Sequence, residues 1–426
     1  MDKKTKVITC GCRFNRYESA EIEERLGSDI GKTDRDLVII NSCAVTSKSE
    51  AKSRYAVRKA VRENPDAAIV VSGCWAEIDP DAVKNIEGVD LVLGNEEKFH
   101  ITDYLGGGAE THVGGVKRAE RFLETEAGRM ENRTAAYLKI QNGCDEVCSF
   151  CVVRIARGNS RSASPSFITK QVNELADKGA REIVLTGINI GQYGRDLEKK
   201  VGLASILAEV AKRKDVRFRL SSINPREITD ELISVIAENE NICRHLHIPL
   251  QSGCDSVLQK MRRPYTADEY RDTVERVASR IDRIGIGCDV MAGFPGETQS
   301  DFEESAALLG ELPFTYAHVF PYSERAQTES FKMEGSVPHP VKNERVAKLK
   351  EIAAEKNLTF RQNLIGKSVE VLVVGKDEKL LKGKSGNFID VVLEGDSSLL
   401  GKLCQVVVES ITDKGVKGRV EIDRNL

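Results

Sequence analysis

The sequence predicts an α/β protein with three parts: an N-terminal doubly wound parallel-sheet domain, a central partial (βα)6 barrel of the TIM type, and a small C-terminal antiparallel β-barrel. Short apolar runs alternate with helical patterns in the first ~100 residues and again from about 135 to 325. The last ~60 residues change to β-rich runs with glycine-bearing turns. We expect domains over residues 1–104, 134–364 and 365–426, joined by a linker over 105–133.

Four apolar runs predict the strands of the N-terminal sheet. Continuous apolar runs, as opposed to alternating ones, are typical of parallel strands that helices cover on both faces. A basic helix from about Ser47 to Arg62 follows the second run. Such a helix is usually a solvated face, and it also fits the wall of an RNA groove. The four runs are Val7–Cys10, Leu37–Ile40, Ala68–Val71 and Leu91–Leu93.

Six further strand candidates with helical patterns between them predict the central barrel. Barrels built from βα units carry their ligand-binding residues at the C-terminal ends of the strands. The preceding segment contains Gly106-Gly107-Gly108 and Gly114-Gly115, and we interpret it as the linker. The six candidates are Tyr137–Gln141, Glu182–Leu185, Arg217–Leu220, Leu246–Ile248, Ile284–Val290 and Tyr316–Phe320.

The C-terminal region begins after a long charged helical pattern that ends near Gly366. β-rich runs follow at Val369–Val374, Asn387–Leu393 and Leu403–Ile411, and they fit a small barrel. Small barrels of this kind often bind RNA. Between residues 367 and 426, ten basic and ten acidic residues cancel, so charge alone does not identify an RNA-binding surface there.

Composition limits the classes of function. The chain has 426 residues, of which 40% are hydrophobic and 30% charged, the mixture of an ordinary globular protein. The net charge is −3, so any RNA contact depends on a local basic patch. No apolar run approaches the ~20 residues of a membrane span, and no signal-peptide pattern follows Met1. We expect a cytoplasmic protein without a membrane partner, whose eleven cysteines serve metal, cluster or redox chemistry.

The strongest motif is Cys144-Asp-Glu-Val-Cys148-Ser-Phe-Cys151, directly after the first barrel strand. Three thiolates on one short loop can hold three irons of a four-iron cluster and leave one iron open for a ligand. A zinc site would need a fourth Cys or His at close spacing, and the nearest downstream histidine is His245. Phe150 fits as an aromatic shield. We therefore predict an iron–sulfur cluster at this loop.

A second set consists of Cys12, Cys43 and Cys74, each at the C-terminal end of a predicted parallel strand. These ends share one edge of an open α/β sheet, so the three thiols should meet there. The alternative is three unrelated buried thiols. Cys10 lies two residues before Cys12 on the same strand face and is a rival ligand. We interpret the other cysteines as packing residues, namely Cys243, Cys254, Cys288 and Cys404.

The Cys144 motif, its place after the first barrel strand, and Phe150 before the last cysteine resemble the radical S-adenosylmethionine superfamily. There the open iron binds S-adenosylmethionine, which one electron cleaves to methionine and a 5′-deoxyadenosyl radical. With both cysteine sets present, the whole chain resembles the methylthiotransferase family, whose C-terminal TRAM barrel contacts RNA. The resemblance implies a second [4Fe-4S] cluster at Cys12, Cys43 and Cys74, whose open iron carries the sulfur that is inserted.

Within that family, Gly11-Cys12-x-x-Asn15-x-Tyr17-Glu18-Ser19 looks like the tRNA-modifying members, and most like the threonylcarbamoyladenosine branch. Arg157-Gly158-x-x-Arg161-Ser162 fits the same branch. The implied reaction adds a methylthio group to C2 of N6-threonylcarbamoyladenosine at position 37 of tRNA, with a second S-adenosylmethionine supplying the methyl group. The implied partners are the tRNA anticodon loop, an electron donor such as flavodoxin or ferredoxin, and a sulfur source.

Three residues depart from the family pattern and leave the substrate open: Cys10, Trp75 and Arg154. One alternative is methylthiolation of N6-isopentenyladenosine in tRNA. Another is methylthiolation of an aspartate on a ribosomal protein, which the Tyr17-Glu18-Ser19 signature disfavours. An alternative from a different class is a non-catalytic RNA-binding protein with structural zinc.

Polar residues and glycines at the ends of the predicted barrel strands match the cofactor pocket of the superfamily. Polar side chains at strand ends can bind ribose hydroxyls and the amino acid moiety of S-adenosylmethionine, and glycines allow close approach of the backbone. By this resemblance the S-adenosylmethionine-binding residues are Thr186, Gly187, Asn189, Ser222, Asn224, Gln251, Asp289 and Met291.

Overall fold

The computed structural model describes residues 4–27, 35–105, 110–125, 134–377 and 380–421. Within these residues the chain forms a parallel sheet, a six-stranded half-open barrel and a closed small barrel, in that order, which confirms the predicted fold class. The triplet Gly106-Gly107-Gly108 of the predicted linker lies outside the described residues. No helix in the described ranges is long and apolar enough to cross a membrane.

The N-terminal sheet has five parallel strands whose spatial order follows the chain. The two central predicted runs are buried at every residue, because helices cover both faces of the sheet. The fifth strand lies inside the segment that the sequence assigned to the linker. The strands are β1 (Thr5–Thr9), β2 (Leu37–Ser42), β3 (Ala68–Gly73), β4 (Leu91–Leu93) and β5 (Glu110–His112).

Two apolar cores lie on the opposite faces of this sheet. Successive residues of β2 alternate between them, so that Val38 belongs to one core and Ile39 to the other. Ile22 of the first helix packs on the Ile39 side, whereas Val57 of the second helix packs on the Val38 side. The helices are α1 (Arg13–Gly27), α2 (Ser47–Glu63), α3 (Cys74–Ile78), α4 (Pro80–Lys84) and α5 (Ile101–Tyr104).

Six parallel strands in chain order form the half-open central barrel, as the sequence predicts. They make two three-stranded sheets, which join where the Phe218 backbone bonds to Asn241 and Cys243 at 2.8 Å each. A short hairpin, β7 (Gln141–Asn142) with β8 (Arg161–Ser162), flanks the first strand. The barrel strands are β6 (Ala135–Lys139), β9 (Glu182–Thr186), β10 (Arg217–Leu220), β11 (His245–His247), β12 (Gly285–Ala292) and β13 (Tyr316–Pro321).

Helices follow the barrel strands and pack on their outer surface. Four of these eight helices begin at a side-chain cap, as where Thr266 and Glu269 form a reciprocal capping box. The helices are α6 (Val153–Arg157), α7 (Pro165–Asp177), α8 (Leu203–Val210), α9 (Asp230–Glu238), α10 (Asp255–Lys260), α11 (Ala267–Arg280), α12 (Gln299–Glu311) and α13 (His339–Gln362).

The N-terminal domain spans the open side of the barrel, between its first and last strands. At β6, the Lys139 ammonium lies 3.1 Å from the Glu21 carboxylate of α1. Beyond β13, the Arg325 guanidinium lies 2.5 Å from the Glu50 carboxylate of α2. The lumen is therefore walled on this side by the domain that carries the second cysteine set.

The C-terminal domain is a closed five-stranded barrel. Four of its strand pairs are antiparallel and one, β16 with β18, is parallel. The sequence predicted three of the strands and missed two. The missed pair, β15 and β18, contains lysines and glycines that dilute the apolar pattern. The strands are β14 (Ser368–Asp377), β15 (Leu380–Ser385), β16 (Asp390–Glu394), β17 (Leu403–Ile411) and β18 (Val416–Val420).

One loop of this small barrel closes the N-terminal end of the central barrel. The Phe388 ring stacks on His245, the first residue of β11, with ring centroids 4.4 Å apart. The guanidinium groups of Arg217 and Arg219 donate to backbone carbonyls of this loop at 2.8–3.0 Å. Both also pair with the buried Glu182 carboxylate, at 2.7 and 2.9 Å.

Replacing Glu182 by glutamine tests this closure. The Glu182→Gln variant keeps the side-chain shape but removes the buried counter-charge that Arg217 and Arg219 share, and Arg217 then retains only the half-exposed Glu370 carboxylate at 3.3 Å. Loss of a partner from a buried ion pair costs about 3–5 kcal/mol. We expect a lower Tm by thermal unfolding. The matched variant Glu209→Gln, which breaks an exposed pair with Lys212, should lose less than about 1 kcal/mol.

The pH dependence of the Tm difference between wild type and Glu182→Gln tests the charge state of Glu182. Burial by itself raises the pKa of Glu182, but Arg219 and Arg217 outweigh it and lower this pKa to about 2. A free glutamate has a pKa of about 4.3, so the stabilisation is present above pH ~4 and is lost as the pH falls to ~2. The Tm difference between wild type and Glu182→Gln should narrow as the pH falls from ~4 to ~2. A Tm difference that stays constant over this range would contradict an ionised Glu182 paired with the two arginines.

Candidate active site between two cysteine sets

The first cysteine set lies on a loop that follows β7 directly. The Cys144 N–H donates to the Gly158 carbonyl at 3.1 Å, and the Cys151 N–H donates to the Cys148 carbonyl at 3.1 Å. These bonds fold the loop back on itself, and the Val153 N–H approaches the Cys151 Sγ at 3.4 Å. The loop therefore holds its three thiols together at the C-terminal end of the barrel.

The electrostatics of this loop fit a metal cluster. Burial first, and then the charges of Cys151 and Cys148, raise the pKa of Cys144 to about 12. Burial and the charge of Cys148 raise the pKa of Cys151 to about 11. A guanidinium nitrogen of Arg263 donates to the Cys148 Sγ at 3.2 Å. Metal binding requires cysteines in the thiolate form, so binding of a cluster at this loop would release protons.

The second set also comes together in space. Cys43 follows β2 and Cys74 follows β3, while Cys12 follows β1 after a short turn. Gly11 in that turn has φ +92°, and a Cβ there would lie 2.6 Å from the Cys43 Sγ. Burial first, and then the charges of Cys74 and Cys12, raise the pKa of Cys43 to about 11. Three thiols from three strand ends thus face one another at the sheet edge.

The remaining cysteines have other surroundings. Cys10 packs against the apolar core that contains Val38, and burial raises the pKa of its thiol, against a hydrogen bond from Ser53. Cys254 donates to the Asp301 carboxylate at 3.0 Å, and Cys243 lies 3.8 Å from the Glu182 carboxylate. Cys288 is buried and Cys404 is half-buried.

Both cysteine sets face the interface between the N-terminal domain and the barrel. Helix α3, which begins at Cys74, packs against α6, which follows Cys151. The Arg157 guanidinium of α6 crosses the interface to the Glu18 carboxylate at 2.5 Å and to the Asn15 side-chain oxygen at 2.8 Å. The Asn95 amide donates to the Ala156 carbonyl at 2.7 Å. These bonds fix the two cysteine-bearing segments against each other.

Glu18 is the centre of this interface. Its side chain is fully buried and also accepts from the Lys98 ammonium at 2.5 Å. Although burial by itself raises the pKa of Glu18, Arg157, Lys98 and Lys139 outweigh it and lower the pKa to about 2. The carboxylate is therefore ionised and paired with a cation from each domain. The sequence motif around Glu18 builds an interface and does not expose this carboxylate to a ligand.

Sequence reasoning missed Lys98, Asn95 and Arg263. Lys98 lies in a short 3-10 helix, Glu97–His100, among acidic neighbours, and this local pattern is that of an exposed turn. Asn95 carries no motif of its own. Arg263 is the second of two adjacent arginines before Pro264, and this local pattern does not distinguish it from Arg262.

Seven of the eight predicted S-adenosylmethionine residues lie at or just after the C-terminal ends of barrel strands, and Asp289 lies within β12. Thr186 ends β9 and Gly187 follows it. The Asn189 amide donates to the Glu227 carboxylate at 3.1 Å, and burial raises the pKa of Glu227 to about 7. Glu227 is therefore an additional polar group at this end of the barrel.

The β10 end connects this pocket to the cysteine loop. Ser222 is exposed, and the Asn224 side-chain oxygen accepts from Arg263 at 2.5 Å. Because the other guanidinium nitrogen of Arg263 reaches Cys148, one side chain orients both groups. Any ligand of the open iron at this loop would lie beside Asn224.

The ends of β11 and β12 supply the remaining predicted residues. Gln251 has φ +65°, and its buried side-chain oxygen has no hydrogen-bond partner among the described residues. The Asp289 carboxylate lies 3.1 Å from His247. Met291 packs in an apolar cluster with Phe150. An orphaned buried acceptor beside polar and apolar walls fits a bound organic cofactor.

Two family models match the chain. One, described as the radical SAM superfamily, matches residues 138–309, and the other, described as uncharacterized protein family UPF0004, matches residues 4–94. Over 418 residues the chain is 36% identical to the threonylcarbamoyladenosine tRNA methylthiotransferase MtaB of Bacillus subtilis, covering 94% of this chain and 92% of that protein. The chain belongs to the radical S-adenosylmethionine methylthiotransferase family.

A second relative carries a different substrate name. The chain is 33% identical to the tRNA-2-methylthio-N(6)-dimethylallyladenosine synthase of Carboxydothermus hydrogenoformans, covering 96% of this chain and 97% of that protein. A solved structure of the radical S-adenosylmethionine methyltransferase TsrM from Kitasatospora setae has a TM-score of 0.56 at 13% identity, covering 78% of this chain and 77% of that chain. It supports the fold alone.

As a radical S-adenosylmethionine methylthiotransferase, the protein is an enzyme that uses S-adenosylmethionine and a [4Fe-4S] cluster. The Cys144 loop is the part of this methylthiotransferase that fits the family cluster, since its three thiols lie at the strand ends that also carry the predicted cofactor residues. Radical chemistry in a site of this kind depends on rigid placement of the ligands of the open iron.

The rigidity of the loop can be tested at Gly143, which has φ +74° and precedes Cys144. A Cβ at Gly143 would lie 1.8 Å from the Asn159 carbonyl oxygen, so the Gly143→Ala variant must move the loop. We expect it to lose most of the iron bound at this loop, measured as iron and sulfide per chain after anaerobic reconstitution of the methylthiotransferase.

The matched control is Gly179→Ala. Gly179 also has a positive φ, +97°, but a Cβ there meets no described atom within 4 Å. Both variants carry the conformational cost of a left-handed alanine, about 1 kcal/mol, and only Gly143→Ala carries the clash. Equal iron content in the two variants would show that the loop tolerates displacement.

The interface network yields a further prediction. Glu18→Gln leaves the buried Lys98 and Arg157 cations without a counter-charge, at a cost of about 3–5 kcal/mol. We expect a lower Tm and faster proteolysis between the N-terminal domain and the barrel. Glu24→Gln, which changes an exposed carboxylate on the same helix, is the matched control. Identical proteolysis of the two variants would show that the interface does not depend on this carboxylate.

Proposed function

We propose that this methylthiotransferase converts N6-threonylcarbamoyladenosine at position 37 of tRNA into its 2-methylthio derivative, in the cytosol. Two supports carry the proposal: the Bacillus relative bears that substrate in its name, and both cysteine sets face one domain interface. The second, dimethylallyladenosine relative makes N6-isopentenyladenosine the alternative substrate.

We infer that each cysteine set holds one [4Fe-4S] cluster. Cys144, Cys148 and Cys151 would hold the cluster that binds S-adenosylmethionine, and Cys12, Cys43 and Cys74 would hold the auxiliary one. When bound, these groups supply the hydrogen-abstracting radical and the inserted sulfur. The chain contributes Arg263, which donates to Cys148 and orients Asn224 toward any ligand of that loop.

The target base must leave the RNA stack to reach the interface. Bases of an anticodon loop can be splayed out at modest cost, so the loop suits a buried site. The basic residues of α2 lie on the N-terminal domain beside the route into the site. We propose that they bind phosphates together with the C-terminal barrel, because backbone contacts supply most of the affinity for RNA. The exposed basic residues of α2 are Lys48, Lys52, Arg58, Lys59 and Arg62.

The reaction also requires partners that the chain does not contain. A one-electron donor such as flavodoxin or ferredoxin would reduce the cluster at the Cys144 loop. A sulfur source would renew the sulfur that leaves with the product. Cys12 is the exposed thiol of its set, so this side of the auxiliary site is accessible to a sulfur donor.

Nucleoside mass spectrometry of tRNA from matched cells with and without the gene tests the proposal. Appearance of 2-methylthio-N6-threonylcarbamoyladenosine only with the gene is the expected result. A change in the isopentenyl derivative would keep the family but replace the substrate. Unchanged tRNA nucleosides, with two clusters in the purified chain, would make an aspartate on a ribosomal protein the leading substrate.

The separate roles of the two cysteine sets predict two different losses. Cys148→Ala should abolish reductive cleavage of S-adenosylmethionine. Cys43→Ala should keep cleavage but lose sulfur insertion, because only the auxiliary site is damaged. Cleavage is followed as 5′-deoxyadenosine release and insertion as methylthiolated nucleoside, with Cys404→Ala as the cysteine control. Full methylthiolation by Cys43→Ala would contradict the proposal that Cys12, Cys43 and Cys74 hold an auxiliary cluster.

A further inference from the structure

The wall of the barrel lumen carries one guanidinium that the functions above do not use. Arg13 directly follows Cys12 and begins α1. Its guanidinium carbon lies 5.6 Å from the centroid of the Phe388 ring, which closes the N-terminal end of the barrel. Its charge also acts on Tyr316 and His318 of β13. Arg13 therefore extends from the N-terminal domain into the space beside the last barrel strand.

The Arg13 charge is not compensated by the protein. Its side chain is exposed, and within the residues that the structure describes it forms no ion pair. The Asp289 carboxylate, opposite His318 in the β12–β13 register, is held by His247 at 3.1 Å. An exposed, unpaired guanidinium beside a cluster ligand is suited to bind an anion.

The other cations around the Phe388 ring each have a partner. Arg219 pairs with Glu182 at 2.9 Å, and Lys384 pairs with Asp390 at 2.5 Å. Both lie over the ring, at 5.3 and 4.5 Å from its centroid. Among the described cations at this ring, Arg13 alone is left with its charge unpaired.

The proposed substrate carries an anion close to the carbon that accepts sulfur. On adenine, C6 is two bonds from C2, so a substituent on N6 lies close to the carbon that accepts sulfur. The threonylcarbamoyl group ends in a carboxylate, whereas the isopentenyl group ends in methyl groups. A guanidinium binds a carboxylate through two parallel hydrogen bonds, but an apolar chain against it would leave the charge without a partner.

We propose that Arg13 is a specificity-determining residue that binds the carboxylate of the N6-threonylcarbamoyl group. The inference rests on the proposed function and deepens it by naming the group that is recognised. Arg13 adjoins Cys12, so the carboxylate would be held while C2 faces the auxiliary site. The same guanidinium would disfavour the isopentenyl base.

The test uses anticodon stem-loop RNAs of one sequence, with three forms of the base at position 37. These are N6-threonylcarbamoyladenosine, its methyl ester, in which the carboxylate charge is removed, and unmodified adenosine. Wild type should prefer the acid over the ester by about 10- to 100-fold in kcat/KM, the effect of one charged hydrogen-bonded pair. Arg13→Gln should lose this preference by lowering the rate on the acid only, and Arg13→Lys should keep part of it.

Arg16→Gln is the matched control, since Arg16 is an exposed arginine of the same helix. Iron and sulfide content and 5′-deoxyadenosine release show whether Arg13→Gln still assembles its clusters. Binding of the acid and ester stem-loops, measured by fluorescence anisotropy, provides a readout that does not depend on turnover.

The outcomes separate this inference from the proposed function. Wild type that modifies none of the RNAs would contradict the proposed function. Wild type that accepts acid and ester equally would overturn the Arg13 inference without any variant, even if Arg13→Gln fails to assemble clusters. Arg13→Gln that keeps the full preference for the acid would overturn it as well.

Discussion

The buried Glu18 carboxylate is the constraint on which the relation between the two cysteine sets depends. It has no exposed surface, and its two cationic partners come from different domains, Lys98 from its own and Arg157 from the barrel. A buried charge without a partner costs several kcal/mol, so separating the domains would strand at least one ion. The interface is therefore fixed by electrostatics as well as by apolar packing.

This network carries one more cation than anion, and the surplus lies beside the second cysteine set. Although burial disfavours its charged form, the pKa of Arg157 is raised, with Cys74 first among the charges responsible and Cys12 also contributing. Cysteines held as thiolates by a cluster at the sheet edge would complete the charge balance of the interface. A cluster held there by thiolates would stabilise the domain contact, and the contact would in turn stabilise the thiolates.

The barrel lumen is bounded by three different parts of the chain. Its own six strands form most of the wall, the N-terminal domain spans the gap between β6 and β13, and Phe388 closes the end at which the strands begin. The end at which the strands finish remains the route to the thiols and the predicted cofactor residues. An extruded base entering there would meet both cysteine sets, because α3 and α6 pack together at that end.

Periodicity predicted most of the fold because it depends on local patterns of apolar residues. All six barrel strands and the first four strands of the N-terminal sheet were predicted within a few residues. The sequence did not predict β15 and β18, because their lysines and glycines dilute the apolar pattern of a strand. They form strands because they pair with neighbouring strands in the closed barrel. The placement of Cys12, Cys43 and Cys74 follows from topology, because parallel strand ends share one edge, whereas Cys144, Cys148 and Cys151 share one loop. Lys98 and Arg263 were missed, because their pairing joins segments far apart in the chain.

The motif that indicated the tRNA branch acts as scaffold in the structure. Tyr17, Glu18 and Ser19 are all buried, and Ser19 bonds to Thr9 and Asn41 inside the N-terminal domain. Such residues position the cysteine set but cannot touch a substrate. Discrimination between an anionic and an apolar N6 group must therefore lie with neighbours that reach the lumen. Arg13 precedes the buried part of α1, and its guanidinium lies 5.6 Å from the Phe388 ring centroid, so the helix that anchors the interface through Glu18 also begins with an exposed cation.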